Sequence, residues 1–320
     1  MRFFRNLIVF LFLLITFTQC STDEEVFTAN RFYVGTSPEG FYASSNNGQN
    51  WIKSSSGLPN EAMLVKTIIS WNSSLYIVTF GGGVYISENG GQSWEAKNTG
   101  LTGKALSAYG IATVGAVLFI GTLDGVYASE DNGASWIAKN NGLDGDAIFV
   151  RKIHAEGNRL LITTLDGIYT SDDMGSTWIS RDKNLKGLAF LSEGSKIWFA
   201  SFDNGVHVSS DNGNTWEKKS NGLNTSESLK GLSLGKNGQD LFAGTMDGLF
   251  ISSDNGATWH KKITGLAGES QKVFAVKAFH QYTLIGTGNG LFLSNNSNYQ
   301  WKSISQGLPE NTHIVSVFVE

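Results

Sequence analysis

The chain has 320 residues, a formal net charge of −4, and 38 glycines against 3 prolines and one cysteine. At 41% hydrophobic and 12% aromatic residues it is too apolar for a disordered chain, and its glycines follow no Gly-X-Y period. The lone cysteine excludes a disulfide scaffold or cysteine-rich metal cluster, and the negative charge leaves no basic footprint for nucleic acid.

At the N-terminus, Arg2 and Arg5 precede an apolar run from Leu7 to Phe17. This is the pattern of a secretory signal, shorter than the ~20 residues of a comfortable bilayer span. Cys20 follows directly. The segment resembles the signal of bacterial lipoproteins, in which the cysteine is lipidated and becomes the first mature residue. On that resemblance residues 1–19 are signal peptide and residues 20–30 a lipidated tether. The acidic stretch Ser21–Glu25 is similar to surface-export signals of some Gram-negative lipoproteins. The resemblance implies a cell-envelope protein, at the outer membrane or cell surface, that meets the membrane through its lipid alone. The alternative is ordinary signal cleavage and a secreted or periplasmic product.

From residue 31 onward the chain repeats. Ser44-Ser-Asn-Asn-Gly-Gln-Asn-Trp51 recurs as Ser87-Glu-Asn-Gly-Gly-Gln-Ser-Trp94, Ser129-Glu-Asp-Asn-Gly-Ala-Ser-Trp136 and Ser171-Asp-Asp-Met-Gly-Ser-Thr-Trp178. Further copies are Ser209-Ser-Asp-Asn-Gly-Asn-Thr-Trp216 and Ser252-Ser-Asp-Asn-Gly-Ala-Thr-Trp259, with a worn one ending at Trp301. The tryptophans stand 43, 42, 42, 38, 43 and 42 residues apart. The side chains at Asn46, Asn89, Asp131, Asp173, Asp211 and Asp254 suit a tight turn, because they accept backbone amides, and the glycine that follows supplies a positive φ. Each tryptophan then opens a strand whose ring can fill space against a neighbouring unit. This S-x-D-x-G-x-T-W pattern resembles the Asp-box, or BNR, repeat of sialidase-like and sortilin-like β-propellers. The resemblance implies a structural role for the box.

Each repeat divides into four short strands, A to D. In the third repeat they are predicted at Ser107–Thr113, Val117–Thr122, Val126–Ser129 and Trp136–Lys139. Leu-Asp-Gly joins B to C as a hairpin, and the Asp-box joins C to D. Strands that are apolar at consecutive positions, such as Val117–Ile120, are expected to be covered on both faces. A four-stranded unit of about 42 residues is the propeller period. The first repeat lacks an A strand, and the C-terminus, residues 313–320, supplies an extra one. We therefore expect an all-β, seven-bladed propeller over residues 31–320, closed by pairing of that C-terminal strand with the first blade, and monomeric.

Within this plan the A–B turns and Asp-boxes share one face, and the B–C turns and D–A links share the other. Ligand contact is expected on the second face. Its B–C turns carry Asp124, Asp166 and Asp247, each followed by a residue suited to a hairpin. Basic residues recur near the starts of A strands at Lys66, Arg151, Lys152, Lys186, Lys230 and Lys272. They could ring the mouth of the central channel and draw in an anion or acidic partner, or form a rim partly neutralised by Glu61, Asp144, Asp146, Glu227 and Glu269.

Catalysis has little support. Sialidases need an Arg-Ile-Pro motif and an arginine triad, but the prolines follow Ser37, Leu58 and Leu308, and the arginines beyond the leader are Arg31, Arg151, Arg159 and Arg181. The five histidines show no HExxH spacing, and no glycine pattern leads from a strand into a nucleotide-binding helix. Xyloglucanase-like Asp-box hydrolases place their carboxylates between two propellers, whereas this chain encodes one. A single-propeller assembly factor of photosystem II is a further resemblance. The expectation is a non-catalytic binding or scaffold propeller, without cofactor or metal, that recognises a protein or a carbohydrate. The alternatives are a divergent glycoside hydrolase using the turn aspartates and an assembly factor.

Overall fold

A computed structural model describes residues 31–320. The signal, lipidation and tether expectations, on residues 1–30, lie outside the described residues. The remainder folds into seven four-stranded antiparallel sheets. Blade 1 takes its A strand from the C-terminus, His313–Val319, and its B, C and D strands from Phe32–Ser37, Phe41–Ser44 and Ile52–Lys53. The A strands of blades 2 to 7 are Val65–Trp71, Ala108–Val114, Val150–Glu156, Gly187–Glu193, Gly231–Asn237 and Val273–Phe279.

Ring closure follows the predicted pairing. Phe32 lies opposite Val319 and Ser37 opposite His313, with Ile314 fully buried in the resulting seam. The B and C strands are apolar at consecutive positions because both faces are covered. In blade 3, Leu118 to Thr122 and Gly125 to Ser129 are all buried. Apolar clusters therefore sit between blades; one of them joins Val84 and Leu101 of blade 2 to Leu118, Tyr127 and Trp136 of blade 3.

The Asp-box is a closed hydrogen-bond motif. In blade 3, Ser129 Oγ donates to Asp131 Oδ1 at 2.8 Å and accepts the Gly133 amide at 2.8 Å. Asp131 also accepts the Ser135 amide at 2.8 Å and the Ser135 hydroxyl at 2.6 Å. These bonds hold the carboxyls of Asp131, Asp211 and Asp254 down at about 2, with the Ser or Thr hydroxyl before Trp as the largest cause. The turn uses two left-handed residues in succession. Asn132 has φ 57° and Gly133 φ 85°, which explains why asparagine so often precedes the glycine.

The tryptophans do more than fill space. Six of them donate the indole Nε1–H to the carbonyl of the residue that follows the D strand of the preceding blade, at 2.7–3.0 Å, as Trp136 does to Lys97. The Trp136 amide also crosses blades, to Thr99 O at 2.9 Å. That bond takes Trp136 out of its own sheet, so the D strand is Ile137–Ala138 and shorter than predicted. At Gly100 (φ 92°) a Cβ would stand 2.2 Å from Trp136 O, so the link glycine serves this close approach as well as the turn.

Candidate ligand-binding site

Every A strand carries a β-bulge at its start. In blade 2, Val65 pairs with Thr79 and Thr67 with Val78, so Lys66 is the extra residue. The same irregularity isolates Tyr109, Arg151, Leu188, Leu232, Phe274 and, in the C-terminal strand, Val315. A bulge bends its strand and re-aims the extra side chain. All seven of these residues line one central cavity of about 680 Å³. It reaches the face of the B–C turns, where Phe202 and Met246 contribute to its wall, and its lining continues along the A strands to Lys277 and Phe318.

The mouth is cationic and aromatic. The Lys66 ammonium lies 5.4 Å from the Tyr109 ring centre and 5.9 Å from that of Phe80. Phe80 and Phe202 remain 37% and 42% exposed, although large aromatic side chains are usually covered. Burial pushes the Lys66 and Lys152 amines below their ordinary value, with Lys152 the more deeply enclosed. The lining contains no aspartate or glutamate, and among the described residues no carboxylate forms an ion pair with Lys66, Arg151 or Lys152. Lys66, Arg151 and Lys152 are half-buried, and charges withdrawn from water without a carboxylate partner are costly to a fold, so this cluster is a candidate for use.

The six basic residues near A-strand starts therefore separate into two registers. Lys66, Arg151 and Lys152 line the cavity. Lys186, Lys230 and Lys272 stand one residue before their strands, where their carbonyls accept amides from the neighbouring B–C turns: Phe202 at 2.8 Å, Met246 at 3.3 Å and Gly288 at 3.0 Å. Their side chains do not line the cavity. Lys230 and Lys272 are neutralised by Glu227 at 2.6 Å and Glu269 at 2.7 Å, and Lys186 is exposed. Lys186, Lys230 and Lys272 each stand two residues before the bulge residue of their strand, and that offset decides which group a lysine joins.

The turn aspartates are likewise outside the cavity lining. Asp124 accepts the Tyr127 hydroxyl at 2.8 Å within its own hairpin, and Asp166 accepts that of Tyr169 and pairs with Lys183 at 3.2 Å. Both phenols are pushed up to about 12, first by burial and then by the carboxylate. Asp247 pairs with Lys261 at 2.7 Å and accepts Thr225 Oγ1 at 3.2 Å. Each is held by its own blade or the adjoining link. Among the described residues no group of three or more His, Cys, Asp or Glu is placed to hold a metal.

The apolar part of the ring, Leu188, Leu232, Phe274 and Val315, was missed by reasoning from charge. Its signal is present in the aligned repeats: one chemically variable position stands between a small or β-branched residue and, in every repeat except that of Lys152, another small one.

Comparison with known proteins places this geometry. Residues 21–148 match a family model described as the DUF6242 beta propeller domain, and residues 250–261 match the BNR/Asp-box repeat. No curated protein matches the sequence. The extracellular domain of BT4673 from B. thetaiotaomicron superposes with a TM-score of 0.67 at 16% identity, covering 83% of this chain and 37% of that one. The chain thus spans little more than a third of that ectodomain. The GH74 enzyme of Niastella koreensis gives 0.64 at 16% identity, covering 88% of this chain and 53% of the enzyme. YCF48 bound to D1 peptide gives 0.59 at 20% identity, covering 77% of this chain and 83% of YCF48. At such identities the likeness is one of fold.

Proposed function

Since the chain is a BNR-type β-propeller of seven blades, we propose that it is a non-catalytic binding module of the cell envelope, taking its ligand at the face where the cavity opens. The observation that supports this reading is the contrast between the two faces. On the Asp-box face the repeated carboxylates are saturated by the hydroxyls and amides of their own turns. On the other face, three cations without a carboxylate partner among the described residues stand beside exposed Phe80 and Phe202. Aromatic and cationic side chains that are held in place but unsatisfied are the usual content of a recognition site.

Hydrolysis of a glycoside would call for two carboxyls roughly 5–9.5 Å apart in a pocket. The cavity has none in its lining, and the three turn aspartates are engaged in three different blades.

The solved neighbours from B. thetaiotaomicron are extracellular domains, which agrees with an extracellular or envelope location. Lipidation at Cys20 remains the proposed route to the membrane. The first B strand begins on the Asp-box face, with Arg31 beside the blade 2 box at Gly90. Metabolic labelling with a radioactive fatty acid tests the anchor; label on the Cys20→Ala variant equal to that on wild type would refute it.

Affinity capture from solubilised envelopes tests the binding face. A Phe80→Ser/Phe202→Ser variant should lose the captured partner or glycan, while Glu88→Lys on the opposite face retains it. Equal capture by both variants would place recognition elsewhere.

A further inference from the structure

The seven bulge residues are not mixed at random around the ring. Blades 2, 3 and 4 present Lys66, Tyr109 and Arg151, and the remaining blades present Leu188, Leu232, Phe274 and Val315. At the level of the bulges one side of the cavity is therefore cationic with a phenol between the charges, and the other side is apolar. Lys277, three residues past Phe274, lines the cavity further along the blade 7 strand, with its ammonium 5.8 Å from the Phe318 ring centre. One residue further along each strand, six blades carry small residues: Thr67, Gly110, Ala189, Ser233, Ala275 and Ser316. Blade 4 alone carries a long side chain there, Lys152, which extends the cationic arc inward. At the rim, Phe202 and Met246 extend the apolar arc outward.

A ligand that satisfies this ring must itself have two sides. A fully hydrated anion such as phosphate would lose water against the apolar arc without compensation, and an uncharged apolar ligand would leave the cations unpaired. The planar fork of Arg151 matches a carboxylate, and Lys66 faces the cavity two blades away. A volume of about 680 Å³ lies in the range of small-molecule pockets.

From this split ring we infer that the cavity binds a small amphipathic carboxylate, its head held by Lys66, Arg151 and Lys152 and its apolar body resting on Leu188, Leu232 and Phe274. The inference deepens the reading of this face as the binding face and depends on it.

Isothermal titration calorimetry with three probes tests it on the unaltered protein: 3-phenylpropionate, 3-phenyl-1-propanol and inorganic phosphate. The carboxylate should bind at least tenfold tighter than either of the others. Equal binding of the alcohol removes the role of the cationic arc, and equal binding of phosphate removes that of the apolar arc; either overturns the inference. Arg151→Met and Lys66→Met should each weaken 3-phenylpropionate at least tenfold, and Leu232→Ser should do so from the other side. An unchanged thermal midpoint certifies that each variant is folded, and unchanged affinity in a folded Arg151→Met overturns the assignment of the head. If 3-phenylpropionate does not bind while the Phe80→Ser/Phe202→Ser variant still loses its captured partner, the carboxylate inference fails and the binding face stands. If it binds while capture is indifferent to those phenylalanines, the cavity assignment stands and the face as a docking surface fails.

Discussion

His154 is a residue whose chemistry the fold displaces strongly. It lies on the blade 4 A strand, with Nε2 2.6 Å from Ser192 Oγ and 3.8 Å from a Glu156 oxygen, its ring 5.7 Å from that of Phe190. Burial, aided by the Lys152 charge and opposed by Glu156, pushes the imidazole down from 6.5 to about 4. Between those two values the unfolded chain holds a proton that the folded chain does not, so folding must release it and stability falls as pH is lowered through that window. The Asp-box carboxylates act elsewhere. Asp131, Asp211 and Asp254 are held at about 2 against an ordinary 3.8, so their contribution is complete above 3.8 and is lost on acidification toward 2. The two effects can be separated by titration. His154→Gln, which keeps a polar partner for Ser192, should flatten the slope of melting temperature against pH between 6.5 and 4 and leave the steeper acid limb intact. A slope identical to that of wild type would show that His154 is not its source.

At the scale of the element, the boundary between blades 4 and 5 departs from the repeat. Here the tryptophans are 38 residues apart, and the shortened link Asp182–Gly187 replaces the Gly-Leu turn. Leu185 still fills the buried apolar site, but Trp216 is only partly covered and its Nε1, unlike that of the other six box tryptophans, has no hydrogen-bond partner among the described residues. His207, which takes the C-strand position of Tyr127 and Tyr169 in the same interface, also leaves Nδ1 unsatisfied. An interblade indole bond is worth about 1 kcal/mol net, and losing it also strands the accepting carbonyl. Trp136→Phe should therefore destabilise by about 1 kcal/mol more than Trp216→Phe, a difference of about 2 °C in midpoint for a domain of this size. Calorimetry of the pair gives the answer, and equal losses would mean that the indole bond contributes nothing. The same weakness predicts that the A strand of blade 5 exchanges its amides sooner than that of blade 3, as hydrogen-exchange mass spectrometry can read.

For the whole molecule, what was legible in the sequence is what the repeat enforces. The box at Ser129–Trp136 names its own turn because Ser129, Asp131, Gly133 and Ser135 are linked by hydrogen bonds within it, and the irregular spacing before Trp216 marks the altered link in advance. The candidate site was only half legible. Lys66 and Lys186 look alike in sequence, each near an A-strand start, yet Lys66 is itself the bulge residue and lines the cavity, whereas Lys186 stands two residues before its strand's bulge residue, Leu188, and is exposed. Alternation along the strand does not mark which of these positions faces the cavity, because the bulge re-aims its extra residue without changing composition. Ring closure is the opposite case, since it follows from counting strands. The C-terminal strand contributes Ile314, fully buried, together with Val315 of the cavity and register from Phe32–Val319 to Ser37–His313. Without it, blade 1 would present the Phe32–Ser37 strand as an open edge beside an exposed interblade core. Removing one fully buried aliphatic side chain costs about 2–5 kcal/mol, and a domain of this size loses about 2–4 °C per kcal/mol. Deletion of residues 313–320 should thus lower the midpoint by about 10 °C or more and promote edge-to-edge association, measured by calorimetry and light scattering. A deletion variant that melts with wild type would mean that blade 7 and blade 1 hold together without the strand that joins them, and the ring would have to be regarded as open.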